Sequence, residues 1–500
     1  MIEQIAVRVV HEGATRLPPV PPAPRSRTAR LLSAVGGFLH EHARAIRATQ
    51  WIVVLVYLAL MVLPLIAPLP DRHARILSHI TLFAQFMFWG IWWPFVLLSM
   101  VLFGRIWCGV LCPEGTLSEF ASRHGRGGAI PRWMRWGGWP FVAFAGTTIY
   151  GQLVSVYQYP GAVLVVLGGS TVAAMIVGYL YGRDKRVWCK YLCPVNGVFN
   201  LLSRLAPVHM KVDVAAYVAS PRTQGVNCAP LVPLRHMTGA ADCHVCGRCE
   251  GYRGAIALSP RSPTEEIVMY GGDVAGDAAQ AGVVHSANHH GAAHNSAWYS
   301  VLIAFGMLGL AMGAFHWTAS PWFVAAKVGA AQWLAEHDIA WMFRDDIPWF
   351  ILTHYPDQND VFNWLDGSLI LGYILATAAV MGGAITLAIG AGSRLLGRGW
   401  TADRFHHLMQ SLIPIGGCGL FIGLSASTVT LLRSEGLRMA WVPGTRVAML
   451  AGATAWSCWL AWRISGRYTQ SLPARLGALA GVVAALALVN YAWVLMFWIW

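Results

Sequence analysis

The chain has 500 residues, of which 56% are hydrophobic and only 12% charged, with 24 tryptophans and a formal net charge of +13. This composition excludes an ordinary soluble domain and describes an integral membrane protein. The basic residues sit in short loops beside apolar stretches, so the charge reads as positive-inside topology and not as a nucleic-acid surface.

Residues 1–48 form a basic, proline-punctuated arm containing Arg25, Arg27, Arg30, Arg44 and Arg47. It lacks the apolar core of a secretory signal and is expected on the cytoplasmic side, ending in an interfacial helix. A four-span membrane region, 49–204, has predicted crossings at about 51–68, 78–103, 137–157 and 161–181. Residues 205–272 read as a small cytoplasmic, ferredoxin-like, cysteine-rich segment. A Gly/Ala/His-rich flexible linker at 273–296 carries His285, His289, His290 and His294. A second membrane region, 297–500, has crossings near 297–315, 367–391, 410–432, 447–464 and 476–499. The predicted fold is therefore an all-α polytopic membrane protein of about nine transmembrane helices. Within it, 316–366 holds seven acidic residues against Lys327 and Arg344 alone. Together with Trp333, Trp341, Trp349 and Trp364 this predicts a periplasmic loop with interfacial helices, where a basic redox partner would dock.

The chain repeats one stretch. Residues 104–123 (GRIWCGVLCPEGTLSEFASR) and 185–204 (KRVWCKYLCPVNGVFNLLSR) share Arg, Trp-Cys, Leu-Cys-Pro and a closing Ser-Arg, offset by 81 positions. In Cys108-x3-Cys112 and Cys189-x3-Cys193 the two thiols would share one helical face, about 6 Å apart along the axis. Pro113 and Pro194 fit the first turn of a helix, whose free N–H groups favour an anionic centre. Two predicted crossings separate the copies, so both belong on the cytoplasmic face. Cys228 and then Cys243-x2-Cys246-x2-Cys249 follow. The trio is a ferredoxin-like spacing and unlike the separated pairs of zinc sites. Eight cysteines at four per centre suit two [4Fe-4S] clusters. The remaining Cys418 and Cys458 lie in apolar runs and read as packing residues.

On these motifs the sequence resembles the membrane-bound polyferredoxins of the NapH and NosR type and the related accessory ferredoxin of cytochrome oxidase assembly. The resemblance covers about residues 50–270 and implies [4Fe-4S] clusters that move electrons. The relatives commonly complete the trio with a further x3-Cys-Pro, but Arg253 and Gly254 stand there in this chain. The fourth ligand must come from elsewhere. In one assignment Cys108, Cys112, Cys189 and Cys193 hold one cluster and Cys228, Cys243, Cys246 and Cys249 the other. In the alternative Cys193 completes the trio and Cys228 joins Cys108, Cys112 and Cys189. The first is preferred.

The function expected is electron relay in a respiratory or metalloenzyme-maturation pathway, at the bacterial inner membrane, with a redox protein or a quinol as partner. An electron carrier is favoured over a stand-alone enzyme. The competing readings are a metal (copper) reductase or assembly factor and a redox-sensing membrane regulator. His79, His316 and His354 fall near the outer face, where haem is the minor reading. His406 and His407 read as interface residues. No nucleophile–base pair, phosphate loop or paired-carboxylate site stands out.

Overall fold

The structure is a computed structural model that describes residues 26–71, 73–220, 225–237, 239–269, 297–397 and 399–500. The first 25 residues of the basic arm and the histidine-rich linker lie outside the described residues.

The chain is mostly helical, as expected of long apolar runs that must satisfy their own backbone in lipid. Helix α1 (Arg27–Glu41) leads through His42 into α2 (Ala43–Ile66). Next come α3 (Ile80–Phe103), α4 (Pro113–Arg123), α5 (Trp139–Leu153) and α6 (Pro160–Tyr181). The short α7 (Val187–Tyr191) and α8 (Asn196–Ser203) carry the second repeat. The C-terminal half contributes α9 (Ala297–His316), α10 (Pro321–Glu336), α11 (Trp364–Arg394), α12 (Ala402–Ser434), α13 (Val442–Tyr468) and α14 (Leu472–Ile499).

Seven of these, α2, α3, α6, α9, α11, α12 and α14, are long and apolar enough to cross a membrane. The two other predicted crossings form helices that fall short on different grounds. Helix α5 has 15 residues, about 22 Å at 1.5 Å per residue against a core of about 30 Å. Helix α13 is long enough at 27 residues but carries Arg446, Arg463 and Arg467. Both nonetheless run between the same two ends of the bundle as the other legs. Trp139 at the start of α5 stacks edge-on with Trp136, which meets Trp298 at the start of α9. At its far end the Leu153 carbonyl accepts from the Thr353 N–H at 2.9 Å, and the Tyr150 hydroxyl donates to Phe350 O. Tyr468 at the end of α13 bonds His407 at the start of α12. At the opposite end of α12, Glu435 accepts from the Ile76 N–H in the turn between α2 and α3.

These contacts assign the two ends. Both cysteine repeats lie at one, and the turns at 67–79 and 154–160 lie at the other with segment 347–362. There Tyr159 stacks on Tyr355 at 3.6 Å and its hydroxyl donates to Asp360 at 2.8 Å.

Small residues let the legs approach. A Cβ on Gly309 or Gly313 of α9 would meet backbone atoms of Ala378 or Ile374 in α11. This is the close helix contact that small residues four apart permit in lipid. Strand pairing departs from the all-helical expectation in two places. β1 (Val208–Val212) pairs antiparallel with β2 (Ile256–Pro260), burying Met210, Ile256 and Leu258 beneath the cysteine-rich segment. β3 (His354–Tyr355) and β4 (Asp360–Val361) make a two-residue ladder in the acidic loop.

Topology reporters test the two-ended arrangement. Fusions after Arg123 and after Arg204 should report the same compartment and a fusion within 340–360 the opposite one. Opposite signals from the first two would break it.

Candidate iron–sulfur site

In the first repeat, Gly104 turns the chain with φ 67°, and a wide π-turn over Trp107–Leu111 carries Cys108. Cys112 is the N-cap of α4 with Pro113 in the first turn, as the sequence predicts. The Gly115 N–H points at Cys112 Sγ, 3.4 Å away. In the second repeat Cys189 sits on α7, but the following helix starts two residues later than Pro194 predicts. Val195 caps α8, whose first residue, Asn196, bonds the Cys193 carbonyl through its N–H.

The two repeats face one cavity of about 120 Å³ lined by Cys108, Cys112, Cys189 and Cys193. Trp92, Trp107, Tyr57 and Glu114 share its wall. A second, smaller cavity is lined by Cys228, Cys243, Cys246 and Cys249. The trio loop is wound tightly, with positive φ at Val245 (48°) and Gly247 (73°). A β-branched residue in that region is strained. It turns the Val245 N–H onto Cys243 Sγ at 3.4 Å. The geometry therefore groups the thiols four and four, with Cys193 in the first group and Cys228 in the second. Cys418 and Cys458 pack against the apolar core of the C-terminal half, outside both groups.

Among the described residues no three His, Cys, Asp or Glu side chains converge on a point fit for one metal ion. Four thiols spread around a cavity suit a polynuclear centre, in which each binds a different iron, better than one tetrahedral zinc. The environment fits too. Burial pushes Cys189 and Cys249 up to about 12, and Cys112, Cys193 and Cys243 well above the usual thiol range. Thiolates there need a strong counter-charge, which coordinated iron supplies.

The arginines at matching repeat positions are exchanged between the copies. Arg105, from the first, is 3% exposed and donates to Asn196 Oδ1 at 2.7 Å and Ala241 O at 2.9 Å. Arg186, from the second, donates to the Cys108 carbonyl and pairs with Glu119 at 2.8 Å. Glu119 also accepts from Arg248 in the trio loop at 2.6 Å and lies 3.5 Å from Arg123. Burial alone would raise the Glu119 pKa, but Arg186 and Arg248 hold it below the usual carboxylate range. The repeat symmetry persists at Asn200 and Arg204, the counterparts of Glu119 and Arg123, which bond at 3.1 Å. The two groups meet at Gly109, where a Cβ would run into the His244 carbonyl and the Cys246 backbone. Sequence reading noted the paired arginines but missed Glu119 and Gly109, which look ordinary until the trio loop folds onto the first repeat.

The predicted histidines have separate packing roles. His79 caps α3, accepting from the Thr81 N–H, and His316 lies against Trp493 and Trp500. His354 sits in β3. His406 bonds Ser300, and His407 bridges Tyr468 and the Ile267 carbonyl at 2.7 and 2.8 Å. His407 thus ties the C-terminal helices to the end of the cysteine-rich segment.

Comparison with known families agrees with this picture. A 4Fe-4S binding domain model matches residues 85–131 and 164–212, one match on each repeat. These are iron–sulfur segments of the ferredoxin type. The trio at 243–249 lies outside both. No curated protein and no solved structure matches the chain.

Replacing Arg186 with Met would strand part of the Glu119 charge and should cost about 1–3 kcal/mol. The expected readout is faster hydrogen exchange across 225–260, with the long apolar helices unchanged.

Proposed function

We propose that the protein is a multi-pass membrane electron carrier holding two [4Fe-4S] clusters, one per cysteine group, with the cysteine end in the cytoplasm of a bacterial inner membrane. The observation that carries the reading is the four-and-four grouping of thiols in two chambers that touch at Gly109. When bound, the clusters supply one-electron redox chemistry. The chain's own residues bring compensating charge through Arg105 and Arg186, N–H donors to sulfur at Gly115 and Val245, and apolar walls that exclude water.

Orientation is supported by charge. The cysteine end carries Arg44, Arg47, Arg123, Arg126, Arg183, Lys185, Arg404, Arg467 and Arg475, an excess that favours the cytoplasm. With both ends of α5 and α13 so anchored, we read nine crossings, α5 being short because the α4 lobe and the 347–362 loop cover its ends. Beside the first cysteine group a further apolar cavity of about 140 Å³, lined by Trp89, Trp93, Phe144 and Tyr157, fits a lipophilic partner such as a quinone or quinol.

Anaerobically purified protein should approach about eight iron atoms with matching sulfide. Cys189→Ser should remove one cluster's low-temperature EPR signal, and Cys418→Ser should leave both. Stoichiometric zinc without sulfide would refute the assignment.

The acidic loop remains the proposed docking surface for a basic partner on the opposite side, on a narrower set of charges. Asp360 is engaged by Tyr159, Asp366 by Lys327 and the α11 cap, and Asp346 by Arg344. Asp345 and Asp357 make no such bond among the described residues. Asp345→Asn with Asp357→Asn should therefore slow low-salt electron exchange with that partner several-fold, leaving iron content unchanged.

A further inference from the structure

Of the eight grouped cysteines, Cys246 lines a broad open cleft, about 550 Å³, between the α1–α2 corner, α4 and the trio loop. Leu39, His40, Ala43 and Arg47 form one wall, and Arg123, Asp184 and Arg248 stand on the other. No Phe, Tyr or Trp lines it, so it offers no stacking platform for a flavin or nicotinamide ring. Its lining carries Arg47, Arg123 and Arg248 against Glu119 and Asp184, and the chain neighbours Arg44, Arg183 and Lys185 outnumber Glu41. The buried Arg186, outside the cleft, pairs with Glu119 at 2.8 Å, so that one carboxylate does not offset the lining arginines. The cleft is also turned away from lipid. On α1 the exposed apolar stripe is Leu31, Val35 and Phe38, while His40 lies about half a turn away, bonding Gly247 O at 3.3 Å.

Resting on the relay reading above, we infer that this cleft is the electron inlet, a docking site for an acidic soluble one-electron carrier protein of ferredoxin kind. Carboxylates on the carrier meet the basic rim, and a protruding loop enters the cleft against Cys246. With a cluster held by Cys228, Cys243, Cys246 and Cys249, the reduced carrier would be oxidised by one electron and that cluster reduced by it, with no bond formed or broken and no proton moved. From there the contact at Gly109 leads to the first cysteine group. Steering by opposite charge makes association fast and salt-sensitive.

The test uses the full chain in detergent with its iron and sulfide content first measured, and an acidic [2Fe-2S] ferredoxin as probe. Binding of the oxidised ferredoxin is followed by calorimetry, and reduction by the reduced ferredoxin in a stopped-flow instrument. Wild type should bind, and should lose at least tenfold in affinity and rate between low and high salt. Ala43→Trp, which fills the cleft without changing charge, and Arg47→Glu with Arg44→Glu should each lower both at least tenfold at low salt. Reduction of the charge variant by methyl viologen radical cation should be undiminished. Variants that bind and accept electrons as wild type does would overturn the inlet, as would wild type that binds no ferredoxin. Absence of iron and sulfide from wild type would instead overturn the relay reading, and the calorimetric result would still decide the docking site.

Discussion

The structure depends on one buried carboxylate. Glu119 is 5% exposed and faces three guanidinium groups from different parts of the chain, Arg123 on its own helix, Arg186 of the second repeat and Arg248 of the trio loop. A charge in such a place is tolerated only when paired, and removing a partner is costly. Each pairing thus fixes a position: Arg186 sets the second repeat against the first, and Arg248 sets the trio loop against both. Arg105 closes the arrangement from the other side through Asn196 and Ala241. The reciprocal exchange makes the two repeats a single unit that neither copy could form alone.

That unit explains why the cysteine motifs need the long apolar helices. Helix α4 packs on the end of α6, where Gly178 lets the Ser118 carbonyl approach, and Gln50 of α2 donates to the Gly109 carbonyl at 3.0 Å. The π-turn that carries Cys108 is separated by three residues from the end of α3, itself π-wound over Phe86–Trp92. Such widened turns occur often at functional sites. Here one carries Cys108 just past the break at Gly104 that ends α3. Helix α1 clamps the trio lobe from outside, with Gly36 against Glu250 and Leu258.

Much of this was legible in the sequence, because the repeat is a local pattern. Length and apolarity gave the seven long helices, and Cys-x3-Cys-Pro gave the start of α4. What escaped was set by tertiary contact. Helix α8 starts late because Asn196 is recruited to Arg105 and the Lys190 carbonyl, which no propensity encodes. The strands β1 and β2 are five residues each and lie 44 positions apart at their nearest ends, Val212 and Ile256, too short and too distant to read as a hairpin. Residue spacing left open which further thiol lies beside the trio; Cys228 lines the same cavity, and its carbonyl and the Asn227 side chain accept from Lys185.

The C-terminal half had no motif of its own, and its role in the architecture is one of support. Arg204 closes the second repeat and reaches Gln410 at 2.8 Å while bonding Asn200, so α12 holds the repeat from below. His407 does the same for Ile267 at the end of the cysteine-rich segment. Both contacts lie at the cysteine end and involve buried polar groups, where a missing partner costs more than a surface bond returns. Helix α12, braced by Tyr468 of α13 on His407, therefore holds the cysteine lobe against the bundle by directed hydrogen bonds as well as by apolar contact. Apolar contact alone discriminates poorly between positions in a lipid solvent; a buried arginine–glutamine or histidine–carbonyl bond permits only one.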